Sequence, residues 1–322
     1  MRLFGIGFLA FCTSFALTPI AEALSWRIGA VDVPKDGRRM HHRSVARAGG
    51  ISIFVSFLCC CLFVPVRSAE LICTVWGGLL LFLVGLADDI RPLGAWSKLL
   101  LQLLIVGFAV SLRGDLTGGA LCFGILWVLL LTNAHNLIDG LDGLFCGCAA
   151  IEGGALCLLY LAKGEVALSY APLILSLSCF AFRFFNRHPA CLFAGDCGSA
   201  TVGFLLGMLS LPLLTEAEFG ARILSPLFLF AYPITELLLS ATRRLLQGRS
   251  PFSADRGHLH HRLCSYGLTQ VQSGGILLLI CFCACCMAFL LGVERMRFLS
   301  GIGCICFAGI LMRIRRFLAD FA

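Results

Sequence analysis

The stretch Asn133-Ala-His-Asn136-Leu-Ile-Asp139-Gly-Leu-Asp142-Gly143 sets two amides and two carboxylates between one long apolar run, Ala120 to Thr132, and another, Leu144 to Ala162. Side chains three apart share a helix face, so Asn136, Asp139 and Asp142 begin as a polar stripe. Each three-residue step also rotates the stripe backwards, and Gly140 and Gly143 weaken the helix. The expectation is a helix that ends here and offers oxygen ligands to a cavity. Ionisable groups where a membrane helix meets water need a partner, a cation or solvent.

Three further strings offer such partners. Gly85-Leu-Ala-Asp88-Asp89-Ile-Arg91 closes an apolar run with adjacent carboxylates, which repel unless a cation or hydrogen bonds intervene. Neighbours on a helix point about 100° apart, so one can face a metal and the other a second substrate; a solvated helix end uses the same string. Phe193-Ala-Gly195-Asp196-Cys197-Gly198-Ser199 opens a run. Its glycines let backbone approach an anion at a helix N-terminus, and Asp196 could hold Mg²⁺ that phosphates also ligate. An ordinary N-cap aspartate is the plainer reading. Arg249 to Arg262 contains Arg256-Gly-His258-Leu-His260-His261-Arg262. Such donors can clamp a diphosphate, arginine with paired donors. A zinc site or a basic loop remains the alternative, although only Cys264 lies nearby as a further ligand.

Two basic features are ambiguous by themselves. Lys35 to Arg43, with Arg38 and His41, precedes Arg47-Ala-Gly49-Gly50 and reads first as a topology signal. Lys98 suits either snorkelling or phosphate contact. Together, carboxylates that can hold Mg²⁺ and Arg, Lys and His donors make up the equipment of phosphoryl transfer, which works by positioning and charge neutralisation. A site of this kind at a membrane surface implies that one substrate is a lipid phosphate.

The elements that must position these groups are membrane helices. The chain of 322 residues is 59% hydrophobic and 13% charged, against about a quarter charged in soluble domains. The pattern predicts an all-α polytopic membrane protein, a single domain over 1–322, with about eleven spans: 3–22, 49–66, 70–87, 98–112, 119–138, 144–162, 166–185, 198–214, 222–243, 271–292 and 298–316. The loops then alternate, with 18 of the 25 Lys and Arg on one side and 7 on the other. The richer side is assigned to the cytoplasm, with the N-terminus out and the C-terminus cytoplasmic. Asp88, Asp89, Asp139, Asp142 and Asp196 all fall on that side. The net charge of +7 is therefore a topology signal, and no nucleic-acid motif accompanies it.

The first segment has features of a signal peptide, Arg2 followed by an apolar run and Ala21-Glu-Ala23. Its run from Leu3 to Ile20 exceeds the ~7–15 residues of a signal core, which favours a retained helix. Nearly all of the 19 cysteines lie in apolar runs. A disulfide framework would place them in outer loops, so they read as small hydrophobes, the Cys281–Cys286 cluster included.

The motifs in this order resemble the polyprenyl-phosphate N-acetylhexosamine-1-phosphate transferases, the bacterial undecaprenyl-phosphate GlcNAc-1-phosphate branch in particular. The resemblance runs through Asp32-Val-Pro-Lys with Arg38, His41 and Arg47-Ala-Gly-Gly; Gly85 to Asp89 with Lys98; Asn133 to Gly143; His188-Pro-Ala with Gly195 to Ser199; and Gly248 to Leu263. It implies Mg²⁺-dependent transfer (Mn²⁺ substituting) of a sugar phosphate from a UDP-sugar to undecaprenyl phosphate, at the inner face of a bacterial cytoplasmic membrane. UMP is released, and a cell-envelope glycan is initiated. The resemblance makes Asp196 and Asn136 metal ligands and Asp88 and Asp89 the catalytic pair. It makes Asp139, Asp142, Lys98, Arg38, His41, Arg256, His258, His260 and His261 substrate-binding residues. A homodimer is compatible with such a chain.

Three positions depart from the family pattern: Glu236 stands where Asp is common, His135 replaces an apolar residue and Cys197 a common Ser. The related phospho-MurNAc-pentapeptide transferases usually carry three consecutive histidines. A transporter of anionic solutes would place its charges near the bilayer midplane, usually within inverted repeats, and none is visible. A silent scaffold would be expected to lose ligands, whereas every acidic match is present.

Overall fold

The computed structural model describes residues 2–33, 43–65, 68–215, 221–250 and 257–293. The chain runs through α1 (Arg2–Ile28), β1 (Val31–Asp32), β2 (Val45–Ala46), α2 (Gly50–Cys61), α3 (Ala69–Ile90), α4 (Ala95–Leu112), α5 (Gly118–Ile138) and α6 (Leu144–Ala162). It continues through α7 (Val166–Asn186), α8 (Asp196–Thr215), α9 (Ala221–Leu229), α10 (Ala231–Leu246), α11 (Leu259–Ser265) and α12 (Gln270–Gly292). The protein is a helical, multi-pass membrane protein.

Among the described residues eight helices are long and apolar enough to cross a membrane: α1, α3 to α8 and α12. Two of the expected spans take another form. The segment 49–66 yields only the 12-residue α2, which at 1.5 Å per residue is about 18 Å long, short of a ~30 Å hydrocarbon core. The segment 222–243 breaks at Phe230, whose φ of −111° and ψ of 23° leave the helical range. Pro233 has no N–H for the Leu229 carbonyl, which removes a helical bond across the break. That carbonyl accepts instead from the Cys285 thiol on α12, at 3.5 Å. The span expected at 298–316, with the C-terminal tail, and Arg38, His41 and Arg256 lie outside the described residues.

Helix α8 is the axis of the bundle, with 89% of its apolar window buried. A helix that is apolar all round belongs in a core. Its glycines admit neighbouring backbones: a Cβ on Gly203 would lie 2.5 Å from the Leu131 carbonyl of α5, and one on Gly85 of α3 only 2.6 Å from Cys197 Cα. Close crossing at small residues is how helices associate where lipid is as apolar as leucine. Here it brings the last turns of α3 and α5 to the first turn of α8.

Sparse polar ties fix the rest. Ser56 of α2 donates to the Ala10 carbonyl at 2.8 Å, and Ser14 of α1 to the Ser178 carbonyl at 2.9 Å, so α1 is built into the bundle. His135 and Glu152, both fully enclosed, meet at 2.6 Å. His135 Nδ1 lies 2.9 Å from the Leu131 carbonyl, which can only accept, so Nδ1 carries a proton. The Nε2–Glu152 contact then shares one more proton, and the pair has no net charge wherever that proton sits. Among the described residues the cysteines are free, and no group of three His, Cys, Asp or Glu could hold a metal unaided.

Candidate functional site

Four chain reversals meet at one end of α8. Helix α3 stops because Pro92 forces Arg91 into extended backbone (φ −136°, ψ 106°), which leaves Asp88 and Asp89 on its last turn. Helix α8 starts after Gly195, whose φ of +72° favours glycine. A Cβ there would lie 2.1 Å from the Arg47 carbonyl and 2.5 Å from Asp89 Oδ2. The segment before α2 is zipped to the same loop by backbone bonds: Phe193 N to Ala46 O, Gly49 N to Phe193 O and Gly50 N to Ala194 O, each 2.9 Å. That zip delivers Arg47.

The adjacent aspartates do different things. Asp89 is closed to solvent and accepts the N–H groups of Asp196 and Cys197, at 2.9 Å each, and the Arg47 Nε at 3.1 Å. It caps α8 from another helix, where a carboxylate also complements the helix dipole. Asp88 accepts Leu93 N at 2.6 Å through Oδ1 and Lys98 Nζ at 3.3 Å through Oδ2. Lys98 also contacts Asp196 Oδ2, and Arg47 Nη2 reaches Asp196 Oδ1 at 2.8 Å. Three buried carboxylates are thus held together by two cations, so Asp88, Asp89, Asp196 and Lys98 converge as the sequence suggested.

The central motif closes the next side. Helix α5 ends at Ile138, and Gly143, at φ +73°, turns the chain into α6. Asn186 and Arg183 of α7 pin that turn through Gly143 N (3.1 Å) and Gly143 O (3.3 Å). Asn136 donates its amide to Ser199 Oγ at 3.0 Å, so its oxygen is the atom it can offer to a ligand. Asp139 follows the helix end; burial drives its pKa up to about 8, opposed by Arg47 and the Gly195 N–H and reinforced by Asp89 and Asp142. Asp142 accepts from His188 Nδ1 at 2.8 Å and Ala190 N at 3.2 Å, and so ties the loop before α8 to the motif.

The histidines arrive on α11. His260 is buried against Gly140, with its Nε2 2.9 Å from where a Cβ of that residue would lie. Burial first, then His261 and His258, push its pKa down to about 3, so it is neutral at ordinary pH. The His258 and His260 rings are parallel, with centroids 5.4 Å apart, and His261 lies 4.4 Å from His260. His258 is gripped from behind by Glu236 of α10 at 3.0 Å.

Asp196 offers a carboxylate on which Lys98 and Arg47 already supply positive charge, and Asn136, bonded to Ser199 one turn into α8, offers an amide oxygen; both are donors of the kind a hard cation takes. Asp196 and Asn136 therefore fit the metal expected from the sequence, with further ligands left to phosphates and water.

A comparison with protein-family models matches residues 71–213 to "Glycosyl transferase family 4". That span contains the aspartate pair, Lys98, the central motif and Asp196. The "Probable undecaprenyl-phosphate N-acetylglucosaminyl 1-phosphate transferase" of Bacillus subtilis (strain 168) is 32% identical over 286 residues, covering 84% of this chain and 79% of the relative. The chain belongs to glycosyl transferase family 4. The "Undecaprenyl-phosphate alpha-N-acetylglucosaminyl 1-phosphate transferase" of Yersinia pestis is 30% identical over 321 residues, 90% of this chain and 84% of the relative. The "Decaprenyl-phosphate N-acetylglucosaminephosphotransferase" of Mycolicibacterium smegmatis is 31% identical over 306 residues, 81% and 75%. As a family member the protein is a phosphotransferase.

Several members of this family 4 site escape the sequence reading. Arg47 sits inside a quoted motif yet carries no assigned role; only its position four residues after Arg43 and before a Gly-Gly helix start could have marked it. Ser199, Asn186 and Arg183 orient the motif from α7 and α8 through single hydrogen bonds. Glu152, a lone acid within an apolar run, was the available clue that His135 has a buried partner.

Proposed function

We propose that the protein transfers an N-acetylhexosamine-1-phosphate, GlcNAc-1-phosphate first among them, from its UDP-sugar to undecaprenyl phosphate. The reading rests above all on one observation: Lys98 joins Asp88 to Asp196, while Arg47 joins Asp89 to the same aspartate. Such a cluster of anions and cations can exchange protein contacts for phosphate contacts without a large change of net charge.

In this mechanism Asp196 and Asn136 hold Mg²⁺, or Mn²⁺ in its place, which when bound neutralises diphosphate charge as a Lewis acid. Lys98 leaves Asp196 for the incoming phosphates. Asp88 takes the proton of the lipid phosphate, or orients its free oxygen. That oxygen attacks the β-phosphorus, the bond from it to the bridging oxygen breaks, and UMP leaves with the electron pair. His258, His260 and His261, with Arg256 and Arg38, contact the diphosphate and sugar, as does His41. Asp139 and Asp142 shape the nucleotide-sugar side. The lipid enters from the inner leaflet of the bacterial cytoplasmic membrane, and the nucleotide-sugar enters from the cytosol. The relatives' names support the polyprenyl acceptor and the GlcNAc-phosphate group; the basic-rich loops support the cytoplasmic orientation.

The test supplies the full chain in membranes with undecaprenyl phosphate, Mg²⁺ and, side by side, UDP-GlcNAc, UDP-GalNAc and UDP-MurNAc-pentapeptide. The reading expects lipid-linked product from UDP-GlcNAc. Uptake of a donor without UMP release would replace it with transport, and product from the pentapeptide donor alone would replace the sugar.

A further inference from the structure

Glu236 is a buried acid one helix removed from the aspartates, and the mechanism above gives it no task. Its side chain is 2% exposed, yet it lies in α10 opposite the histidine segment. One oxygen, Oε1, accepts both the His258 Nδ1 proton at 3.0 Å and the Leu259 backbone N–H at 3.1 Å. Leu259 begins α11, so the carboxylate holds ring and helix start together. Ser240, one turn further along α10, reaches the same Nδ1 at 3.2 Å. The second oxygen, Oε2, is buried with no partner among the described residues, as are both ring nitrogens of His260. Buried polar atoms without partners are uncommon, and each calls for a physical reason.

We propose that Glu236 is the positioning residue of the histidine segment: it fixes His258 as the Nδ1–H tautomer and so presents Nε2 to the sugar-diphosphate. A carboxylate oxygen can only accept, so the ring nitrogen facing it must carry the proton, and in the neutral ring Nε2 keeps the lone pair. The hydrogen bonds of His258 to Glu236 and Ser240 both fall on Nδ1, and the side chain keeps 10% exposure for a ligand to reach. The parallel stacking of His258 on His260, and His260 on Gly140, carries the same orientation to the Asp139–Asp142 turn. Glutamate reaches one methylene further than aspartate, which lets it satisfy the Leu259 amide and the ring from within α10. This role rests on the transferase reading only for the identity of the ligand.

The test is a double-mutant cycle of Glu236→Gln and His258→Ala in the full chain, read as kcat and KM for UDP-GlcNAc and for the lipid. Glutamine keeps the shape and an accepting oxygen but can also donate, so the tautomer is released. Glu236→Gln should lower kcat/KM for the nucleotide-sugar about ten- to a hundredfold, the usual cost of removing a group that orients a working histidine. The lipid KM and the melting temperature should stay unchanged, and Glu236→Asp should restore part of the loss. In the His258→Ala background the same substitution should add less than twofold, because its effect passes through the ring. Losses that multiply, or a fall in melting temperature that accounts for them, would make Glu236 a structural residue and overturn the proposal. ¹⁵N spectra of histidine-labelled protein in lipid give a readout independent of turnover. The signal lost in His258→Ala should be protonated at Nδ1 only, and become mixed in Glu236→Gln. A wild-type chain that transfers no sugar but keeps that spectrum would refute the transferase reading and leave the pairing standing; the Nε2–H tautomer in wild type would refute the pairing.

Discussion

At the scale of single residues, two neighbouring aspartates have separate duties. Asp89 is spent on two amides and a guanidinium in a space closed to water. Asp89→Ala leaves the Asp196 and Cys197 amides without their acceptor and Arg47 with Asp196 alone, and each buried donor left unsatisfied costs about 1–3 kcal/mol. Thermal unfolding in detergent should therefore show Asp89→Ala strongly destabilised. Asp88→Asn keeps an acceptor for Leu93 and should melt near the wild type while transfer collapses. Asp139 gives a pH signature. Its folded pKa of about 8 lies above the ordinary carboxylate value of 3.8. Below 3.8 both folded and unfolded chains are protonated; between 3.8 and 8 only the unfolded chain gives up the proton, so stability falls as pH rises through that window. Asp139→Asn should consequently raise the melting temperature at pH 8 and barely change it at pH 4. An equal gain at both would mean that Asp139 is ionised in the folded protein. The sequence could mark Asp88, Asp89, Asp139 and Asp196 as acids on one side of a membrane. It could not divide their duties, because Asp89's partners are backbone amides more than a hundred positions away.

At the scale of elements, the site exists because α3, α5 and α8 cross at glycines. Apolar runs and their punctuation made those helices legible: Pro92 after α3, Gly140 and Gly143 after α5, and Gly195 before α8 fall at the observed ends. What crossed what was not legible, since Gly85 against Cys197 and Gly203 against Leu131 are meetings of backbone that leave no pattern in the chain. The same limit hid Pro233, where periodicity suggested a continuous span and a missing N–H removes a helical bond across the break. Gly85→Val tests the crossing. Its side chain would need space now filled by the Cys197 and Asp196 backbones, so α3 must shift and carry Asp88 with it. Activity should fall by at least tenfold with the folded, membrane-inserted fraction measured in parallel, as expected when reacting groups move by about 1 Å. Wild-type activity in that variant would show that the crossing does not set the site.

At the scale of the whole molecule, the reversals that carry chemistry lie at one end of the bundle. At the opposite end of α3, Arg113 is held between Glu70 at 3.2 Å and Asp115 at 2.7 Å. The transferase reading expects that end to face the cytoplasm. Cys191, exposed in the loop before α8, reports on this directly. A membrane-impermeant maleimide should label it in inside-out vesicles and spare it in right-side-out ones; the reverse pattern would place the site outside. The central claim, that Asp196 works with Asp88 and Lys98 on substrate phosphate, is tested most directly with [β-³²P]UDP-GlcNAc. The account predicts label passing into the lipid phase one-for-one with UMP, with a loss on the order of 10²–10³-fold in Asp196→Asn. Label left in water while the sugar enters lipid, or full transfer by Asp196→Asn, would contradict it.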